Sequence, residues 1–433
     1  MASFEAVKHL AWRAGFGLSS TETSGEAPDL SALLDRLFRV EETMRELDLQ
    51  EGDRVQMMMS SAEERRQLNR QNMRQLRAEW LDLLAFPAGS DLREKMALFW
   101  HDHFACQTLF PGWAQRQLQT LRTYGLGYFR DLLVAISKDA AMLHYLNNQQ
   151  NRKDHPNENY ARELMELFTI GRGHYTEQDV QEAARAFTGW SSDLRGRFVF
   201  RKGQHDFGRK TFMGRTGDWD GTDIIDIILD RPQTAHFLAT KIFRYFVHQE
   251  VDPVRVQELA DVMRSNDYHI GAVMRHLFER DWFYDPALYG TRIKSPVELV
   301  VGMMRALEVR PEGHKAINRL LASMGQLAFR PPSVAGWPAG RGWINSATLP
   351  IRLNLPFLVL SPPSRLEALL NESPRFNVPE RRIDKRYGPH SIASLAERLL
   401  CVPCDISKLA QFDLKTTQTR IARIMALPEY QMC

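Results

Sequence analysis

Three short segments of the sequence place histidines and carboxylates among apolar residues, and each could contribute to a chemical site. The first, residues 99–104, carries His101 and His103 two positions apart. Successive residues of an α-helix are about 100° apart, so on a regular helix the two imidazoles point about 160° away from each other. They could bind one ion only where the chain is extended or the helix is broken. His103 falls on the apolar stripe, where it is a metal ligand, a general base or a hydrogen-bonded core residue.

The second segment is a predicted helix at 157–170, which His155 precedes. Glu163 and Glu166 lie on a polar stripe beside the apolar face, with Glu163 nearer to the predicted core. A carboxylate at a buried margin must be paired, bound to a metal or protonated. Glu163 is therefore the strongest single candidate for chemistry, with Arg162 beside it. The alternative is a surface helix with ordinary salt bridges.

The third segment follows a change in sequence character. Alternating apolar residues and several glycines predict a small β-hairpin or ribbon at 196–215. It carries His205, Asp206 and Lys210 on a turn from which they could reach a neighbouring helix, although Asp also simply forms turns. The glycines match neither a P-loop nor a G-x-G-x-x-G motif, and neither G-x-S-x-G nor H-E-x-x-H is present. The common nucleotide-binding, serine hydrolase and zincin interpretations are therefore unsupported.

Helical periodicity dominates the rest of the chain and predicts a mostly α protein. We expect one large multi-helix body at 1–372 with the inserted β-ribbon, a linker-like segment at 373–390 and a short helical tail at 391–433. Besides the helix at 157–170, the predicted helices lie at 62–86, 91–108, 113–136, 177–190, 221–230, 232–248, 253–266, 269–280, 295–309, 315–326, 346–359 and 364–371.

The composition is that of an ordinary folded protein. Of the 433 residues, 44% are hydrophobic and 25% are charged. The net charge is only +3, so we expect no nucleic-acid partner, and no apolar run is long enough to predict a membrane span. The first residues lack the pattern of a signal peptide, which predicts a cytoplasmic protein. The four cysteines are too few for a disulfide framework and are expected to be free thiols.

The polar segments also coincide with motifs of a known family. The chain resembles the large bacterial family known only as domain of unknown function 1800, over about residues 5–360, and residues after about 375 lie outside the resemblance. The matching motifs are at residues 9–17, 99–104, 157–167, 184–190, 205–211, 331–337 and 343–345. The resemblance implies a family and assigns no activity, because the activity of the family is unassigned.

From these residues we expect a metal-dependent enzyme, an oxidoreductase among the options, with a His/carboxylate site between helices that acts on a small molecule or peptide. Fe, Mn or Zn suits such ligands, and haem is a further option. The predicted metal ligands are His101, His103, His155 and Glu166. The predicted catalytic residues are Glu163, Arg162, His205 and Asp206. Two alternatives stay open: a metal-free acid–base enzyme that uses Glu163 and His205, and a helical binding or assembly protein whose polar motifs are structural and which contacts a protein partner.

Overall fold

A computed structural model describes residues 3–26, 28–39, 44–47, 61–193, 195–360, 375–409, 411–412 and 414–433. The helix predicted at 364–371 lies outside these residues. The described chain is mostly helical with small antiparallel hairpins, which confirms the predicted fold class. One hydrophobic cluster runs through it and includes residues as distant in sequence as Val7 and Tyr430.

The α-helices of the described residues are numbered here in chain order. The first ten are α1 (Phe4–Arg13), α2 (Ser20–Ser24), α3 (Leu30–Leu37), α4 (Ala62–Ala85), α5 (Asp91–His103), α6 (Pro111–Tyr124), α7 (Phe129–Ser137), α8 (Ala140–Tyr145), α9 (Asn159–Glu163) and α10 (Glu177–Ala186). The others are α11 (Gly221–Leu229), α12 (Pro232–Phe246), α13 (Pro253–Ser265), α14 (Ile270–Phe278), α15 (Pro296–Leu307), α16 (His314–Ser323), α17 (Thr348–Leu360), α18 (Glu380–Tyr387), α19 (Ile392–Leu399) and α20 (Thr417–Met425). A π-helix, Leu164–Thr169, continues directly from α9.

The helical segment predicted at 113–136 is two helices, α6 and α7. A Cβ atom at Gly125 would lie 2.4 Å from the Leu121 carbonyl oxygen and 2.9 Å from the Trp100 ring. The Trp100 indole N–H donates to the Gly125 carbonyl oxygen at 2.8 Å. The close approach of Trp100 therefore requires glycine where α6 ends, and the pattern of apolar residues does not reveal that contact.

The described strands form three two-stranded antiparallel sheets. They pair β1 (Trp190–Ser192) with β2 (Phe198–Phe200), β3 (Lys210–Phe212) with β4 (Arg215–Gly217), and β5 (Arg310–Glu312) with β6 (Arg375–Asn377). The single ribbon predicted at 196–215 is thus two separate hairpins. The second has a two-residue turn at Met213 and Gly214, with φ of 47° and 80°, as a tight hairpin requires.

The segment predicted to be a linker at 373–390 is structured over its described part. It contributes β6 to a sheet with β5, and then forms α18. Ile383 and Tyr387, four residues apart, bury their side chains on one face of that helix, and the Tyr387 hydroxyl donates to the Ala306 carbonyl oxygen at 2.6 Å. The many charged residues and prolines of this segment are typical of a linker, and the apolar stripe of only two residues is too short to predict a helix from the sequence.

Within the described part of the chain, every helix is too short or too polar to cross a lipid bilayer.

Candidate functional site

His101 lies in an aromatic pocket at the end of α5. Its Nε2 accepts a hydrogen bond from the Phe329 N–H at 3.0 Å, and its ring packs edge-on against Trp80. The proton is therefore on Nδ1, which has no hydrogen-bond partner among the described residues. Burial and the nearby Arg77 charge lower the pKa of His101 to about 3. His101 is neutral at pH 7, and it holds Phe329 in a left-handed conformation with φ of 59°.

His103 points to a different neighbour, as the helix geometry requires. Its Nε2 lies 3.0 Å from the Phe168 carbonyl oxygen, so Nε2 carries the proton and donates it. That carbonyl lies near the end of the π-helix, where backbone acceptors have no partner within the helix. Burial lowers the pKa of His103 to about 3, and the charge of Lys241 adds to the effect. His103 is thus a neutral residue that joins α5 to the π-helix.

Asp102, between the two histidines, faces the loop that carries the 331–337 motif. Its Oδ1 accepts a hydrogen bond from the Trp337 N–H at 2.7 Å. A Cβ atom at Gly336 would lie 2.4 Å from the same oxygen, and Gly336 has φ of 87°. Burial raises the pKa of Asp102 to about 6, although the Trp337 hydrogen bond and the charge of Lys241 oppose that shift. Asp102 is therefore a carboxyl group that can gain and lose a proton near neutral pH.

Lys241, on α12, is the charged neighbour of Asp102. Burial lowers the pKa of Lys241, while the Asp102 carboxylate raises it. The two groups form no direct ion pair within 4 Å, and among the described residues Lys241 is not paired with any other carboxylate. A gap therefore separates an acid and a base whose pKa values are displaced toward each other, and a water molecule or a substrate atom could bridge it.

Lys241 also lines a cleft of about 540 Å³ between the end of the π-helix and α12. Most of its lining residues are polar or cationic, and Ile170 and Phe237 are apolar. The lining residues are Ile170, Gly171, Arg172, His174, Gln233, His236, Phe237, Thr240, Lys241 and Arg244. A Cβ atom at Gly171 would lie 3.0 Å from the Phe237 ring, and Gly171 has φ of 80°, so glycine is needed where the chain turns from the π-helix into the cleft wall.

The cleft is positively charged. Arg172, Lys241 and Arg244 line it together with two histidines. Arg172 is bound to Glu166, whose Oε1 accepts its Nε–H at 2.6 Å. Arg244 forms no ion pair with any described carboxylate. Lys241 and Arg244 therefore have no carboxylate partner within 4 Å among the described residues and could attract an anion.

The two predicted glutamates lie on opposite sides of the junction between α9 and the π-helix, near one rim of the cleft. Glu166 accepts hydrogen bonds from Arg172 and, at 3.3 Å, from the Tyr175 hydroxyl. Glu163 is half-buried, and no described residue donates a hydrogen bond to it. Burial and the neighbouring Glu166 charge raise the pKa of Glu163. A π-helical turn is rare and often marks a functional region, which favours this end of the cleft.

The other residues of the second segment lie on the surface. Arg162 binds Glu158 at 3.1 Å and Glu177 at 2.7 Å, and these hydrogen-bonded carboxylates raise its pKa. His155 is exposed on the loop before α9, where its backbone pairs with Arg152. Neither side chain reaches the cleft lining.

The third segment forms a separate hydrogen-bonded loop beside the C-terminal end of α10. His205 Nδ1 donates to the Thr188 carbonyl oxygen at 2.8 Å, which leaves Nε2 as the acceptor. Asp206 binds Arg185 at 2.7 Å. Burial opposes its ionisation, but hydrogen bonds from Arg185 and Gly208 lower the pKa of Asp206. No hydrogen bond, ion pair or ring contact among the described residues joins His205 to Glu163.

The described residues contain no group of three or more His, Cys, Asp or Glu side chains placed to bind one metal ion. His101 and His103 bind different backbone groups, His155 is exposed, and Glu166 is engaged by Arg172. The structure therefore does not assemble the four predicted ligands into one set. The helix continues unbroken to His103, so its regular geometry directs the two neighbouring imidazoles apart.

Asp102 lies within the 99–104 motif but is not among the site residues predicted from the sequence, and neither are the residues of α12 that line the cleft. A signal was present: Gln233, Phe237, Lys241 and Arg244 follow one another at spacings of three or four, which places them on one helix face. Nothing in the sequence indicates that this face lies opposite Asp102.

The fold and the cleft define a mostly helical protein with a cationic cleft. A family model described as a protein of unknown function (DUF1800) matches residues 9–432, and the chain therefore belongs to this family. The match continues past residue 375, so the C-terminal tail belongs to the family's sequence and the expected end of the resemblance was wrong. No curated protein and no solved structure matches the chain.

Proposed function

We propose that the protein is an enzyme that binds a small anionic substrate in the cleft and transfers a proton with Asp102 and Lys241. The observation that carries the proposal is the electrostatic interaction of Asp102, a carboxyl with a raised pKa, with Lys241, which has no carboxylate partner within 4 Å among the described residues and lines the cationic cleft. The proposed mechanism is acid–base catalysis, which the sequence offers as an alternative. The residues proposed to transfer the proton are Asp102 and Lys241 instead of Glu163 and His205.

The lining of the cleft supports an anionic ligand. Lys241 and Arg244 have no carboxylate partner among the described residues, and His174 and His236 add donors along the same walls. A positively charged concave surface raises the local concentration of an anionic substrate. Phe237 offers an apolar face for the rest of a small molecule, as is usual in ligand sites.

The chemistry follows from the two displaced pKa values. At neutral pH Asp102 is partly protonated, so it can act as either acid or base, and Lys241 can stabilise negative charge that develops on a substrate. Oδ1 of Asp102 accepts a hydrogen bond from the Trp337 N–H, which restrains the orientation of the carboxyl group. General acid–base catalysis of this kind contributes about 10²–10⁴-fold to a rate.

A substrate screen tests the proposal. The full chain is incubated in D₂O with a pool of small carboxylates and phosphate esters, and mass spectrometry follows depletion, product formation and deuterium uptake. We expect at least one anionic compound to change with the wild-type protein and not with Lys241→Met. Arg264→Gln, which removes an exposed cation on α13, is the matched control and is expected to behave as wild type. No change in any compound, or equal turnover by Lys241→Met, would contradict the proposal.

Metal-dependent catalysis stays a prediction with its own test, which is whether His101, His103, His155 and Glu166 bind a metal ion. Elemental analysis of protein purified without a metal-affinity tag measures Fe, Mn and Zn per chain. Stoichiometric metal that His103→Ala removes would support the prediction. A metal content far below one ion per chain, unchanged in that variant, would contradict the prediction. The absence of a Soret band from the absorbance spectrum would contradict the haem option.

A further inference from the structure

The strand β2 lies at an open edge of its sheet and contributes no residue to the cleft lining. It pairs with β1 on one side, in the register Trp190 with Phe200 and Ser192 with Phe198. The sheet has only these two strands among the described residues. The other side of β2 is therefore free of a neighbouring strand, which is the situation in which a sheet accepts another one.

The hydrogen-bond pattern shows which backbone groups face that open side. Arg201 N–H donates to the Gly189 carbonyl oxygen at 2.8 Å, and Asp193 N–H donates to the Arg197 carbonyl oxygen at 2.9 Å. Bonded and non-bonded pairs alternate along an antiparallel pair. The N–H and C=O groups of Phe198 and Phe200 therefore point away from β1, and no described residue outside the hairpin bonds to them.

Exposed apolar side chains accompany this edge. Val199 and Phe200 are each 37% exposed, and Phe207 is 66% exposed. The Phe200 and Phe207 rings pack edge-on against the His205 ring, at 5.1 and 4.7 Å between ring centroids. The imidazole thus holds these two exposed aromatic side chains at the surface, where they could contact a partner.

The same surface is strongly cationic. The Lys153 N–H donates to the Gln204 carbonyl oxygen at 2.8 Å, which places the 152–155 loop beside the turn that follows β2. The exposed cations of these two segments and the following turn are Arg152, Lys153, Arg201, Lys202 and Arg209. None of them forms an ion pair with a described carboxylate, and Asp154 is the one exposed acid beside them. Five cations and one acid leave a local charge of +4, more than the +3 of the whole chain.

We infer that the open edge of β2 binds an extended, acidic segment of a partner protein by strand addition. Four outward backbone groups need donors and acceptors at the spacing of a β-ladder, which another polypeptide provides and neither a nucleic acid nor a lipid surface does. The local charge of +4 selects carboxylates on the added strand. Its alternate apolar side chains would pack on Val199, Phe200 and Phe207.

Selection from a peptide library tests the inference. Random peptides of about ten residues, which is long enough to form one strand, are displayed on phage and selected against the full chain. The enriched peptides are synthesised with a fluorophore, and their affinity is measured by anisotropy at physiological salt. Oligo(dT) and vesicles containing phosphatidylserine are measured in parallel as the competing classes of polyanion.

Two pairs of variants separate backbone pairing from charge. Phe200→Pro and Phe200→Val both remove the ring, but only proline removes the outward N–H, and an edge strand tolerates proline at such a position. Arg201→Glu reverses a charge at the edge, whereas Arg264→Glu reverses one on α13. Circular dichroism and melting temperature show whether each variant is folded, and hydrogen exchange of the Phe200 N–H in the wild-type chain gives a measure that needs no variant.

We expect the enriched peptides to be acidic with alternating apolar residues, and to protect the Phe200 N–H on binding. Phe200→Pro should weaken binding at least about tenfold relative to Phe200→Val, and Arg201→Glu should weaken it by a similar factor while Arg264→Glu does not. No enrichment, enrichment of neutral or basic peptides, equal affinity of the proline and valine variants, or an unprotected Phe200 N–H would overturn the inference. Tighter binding of oligo(dT) or vesicles that Arg201→Glu abolishes would also overturn it in favour of that other partner.

Discussion

The Asp102→Asn substitution should change how protein stability depends on pH. The pKa of Asp102 is raised to about 6 in the folded chain, against about 3.9 for an unfolded aspartate. A raised carboxyl pKa means that the folded state binds the proton more tightly. The contribution of Asp102 to stability is therefore greatest at low pH and is lost as the pH rises through about 4 to 6.

The size of this effect follows from the two pKa values. Between pH 4.5 and 7.5 the linkage relation gives a loss of about 2 kcal/mol from Asp102 alone, out of about 3 kcal/mol for the complete shift. Asparagine keeps an oxygen that can accept the Trp337 N–H but cannot ionise. The free energy of unfolding of Asp102→Asn, relative to wild type, should therefore rise by about 2 kcal/mol between these pH values.

Reversible urea unfolding at several pH values measures this difference. Titrating groups that do not interact with Asp102 contribute equally in the two proteins, so their contributions cancel when the curves are subtracted. A difference that does not change with pH would show that the carboxyl is not perturbed. A difference that falls with pH would show that Lys241 holds Asp102 ionised, and would remove the acid–base argument.

Three further substitutions test the surroundings of the site. Gly336→Ala should lower the free energy of unfolding by about 1–3 kcal/mol, because the added Cβ would clash with Asp102 and the backbone φ is unfavourable for alanine. The control is Gly203→Ala, where nothing lies within 4 Å of an added Cβ. It should change the free energy of unfolding by less than about 0.5 kcal/mol in the same urea titration. His101→Ala should cost about 2–4 kcal/mol, because it leaves a cavity and an unpaired Phe329 N–H; a smaller cost would argue against a structural role. Arg244→Gln should weaken the binding of inorganic phosphate, measured by calorimetry, by about threefold to tenfold, which corresponds to one lost cation contact; equal affinity would place the anion elsewhere.

The helices could be predicted from the sequence because their information is local. The periodicity at 62–86 indicates a helix, and the capping box of Ser61 and Glu64 sets the start of α4. The break after Tyr124 could not be predicted, because it depends on Trp100 packing against Gly125 from another helix. Tertiary contacts of this kind decide helix ends and leave no local pattern.

Unusual polar residues at an apolar margin are detectable in sequence, and two of them contact the segment that leads into the cleft wall. His103 binds the Phe168 carbonyl oxygen, and Glu166 binds Arg172 of the cleft lining. Their roles depend on which backbone groups they meet: His101 meets Phe329, far along the chain, and no spacing rule predicts that contact. The cleft itself needs α12 to pack against the π-helix, which is a property of the folded chain alone.

The most direct test of the central claim is the rate at which Asp102→Asn converts the anionic compound that the wild-type protein converts. The proposed mechanism predicts that this folded variant binds the compound within about threefold of wild type and turns it over at least about 100-fold more slowly. Turnover at the wild-type rate by Asp102→Asn would contradict the claim that Asp102 transfers the proton.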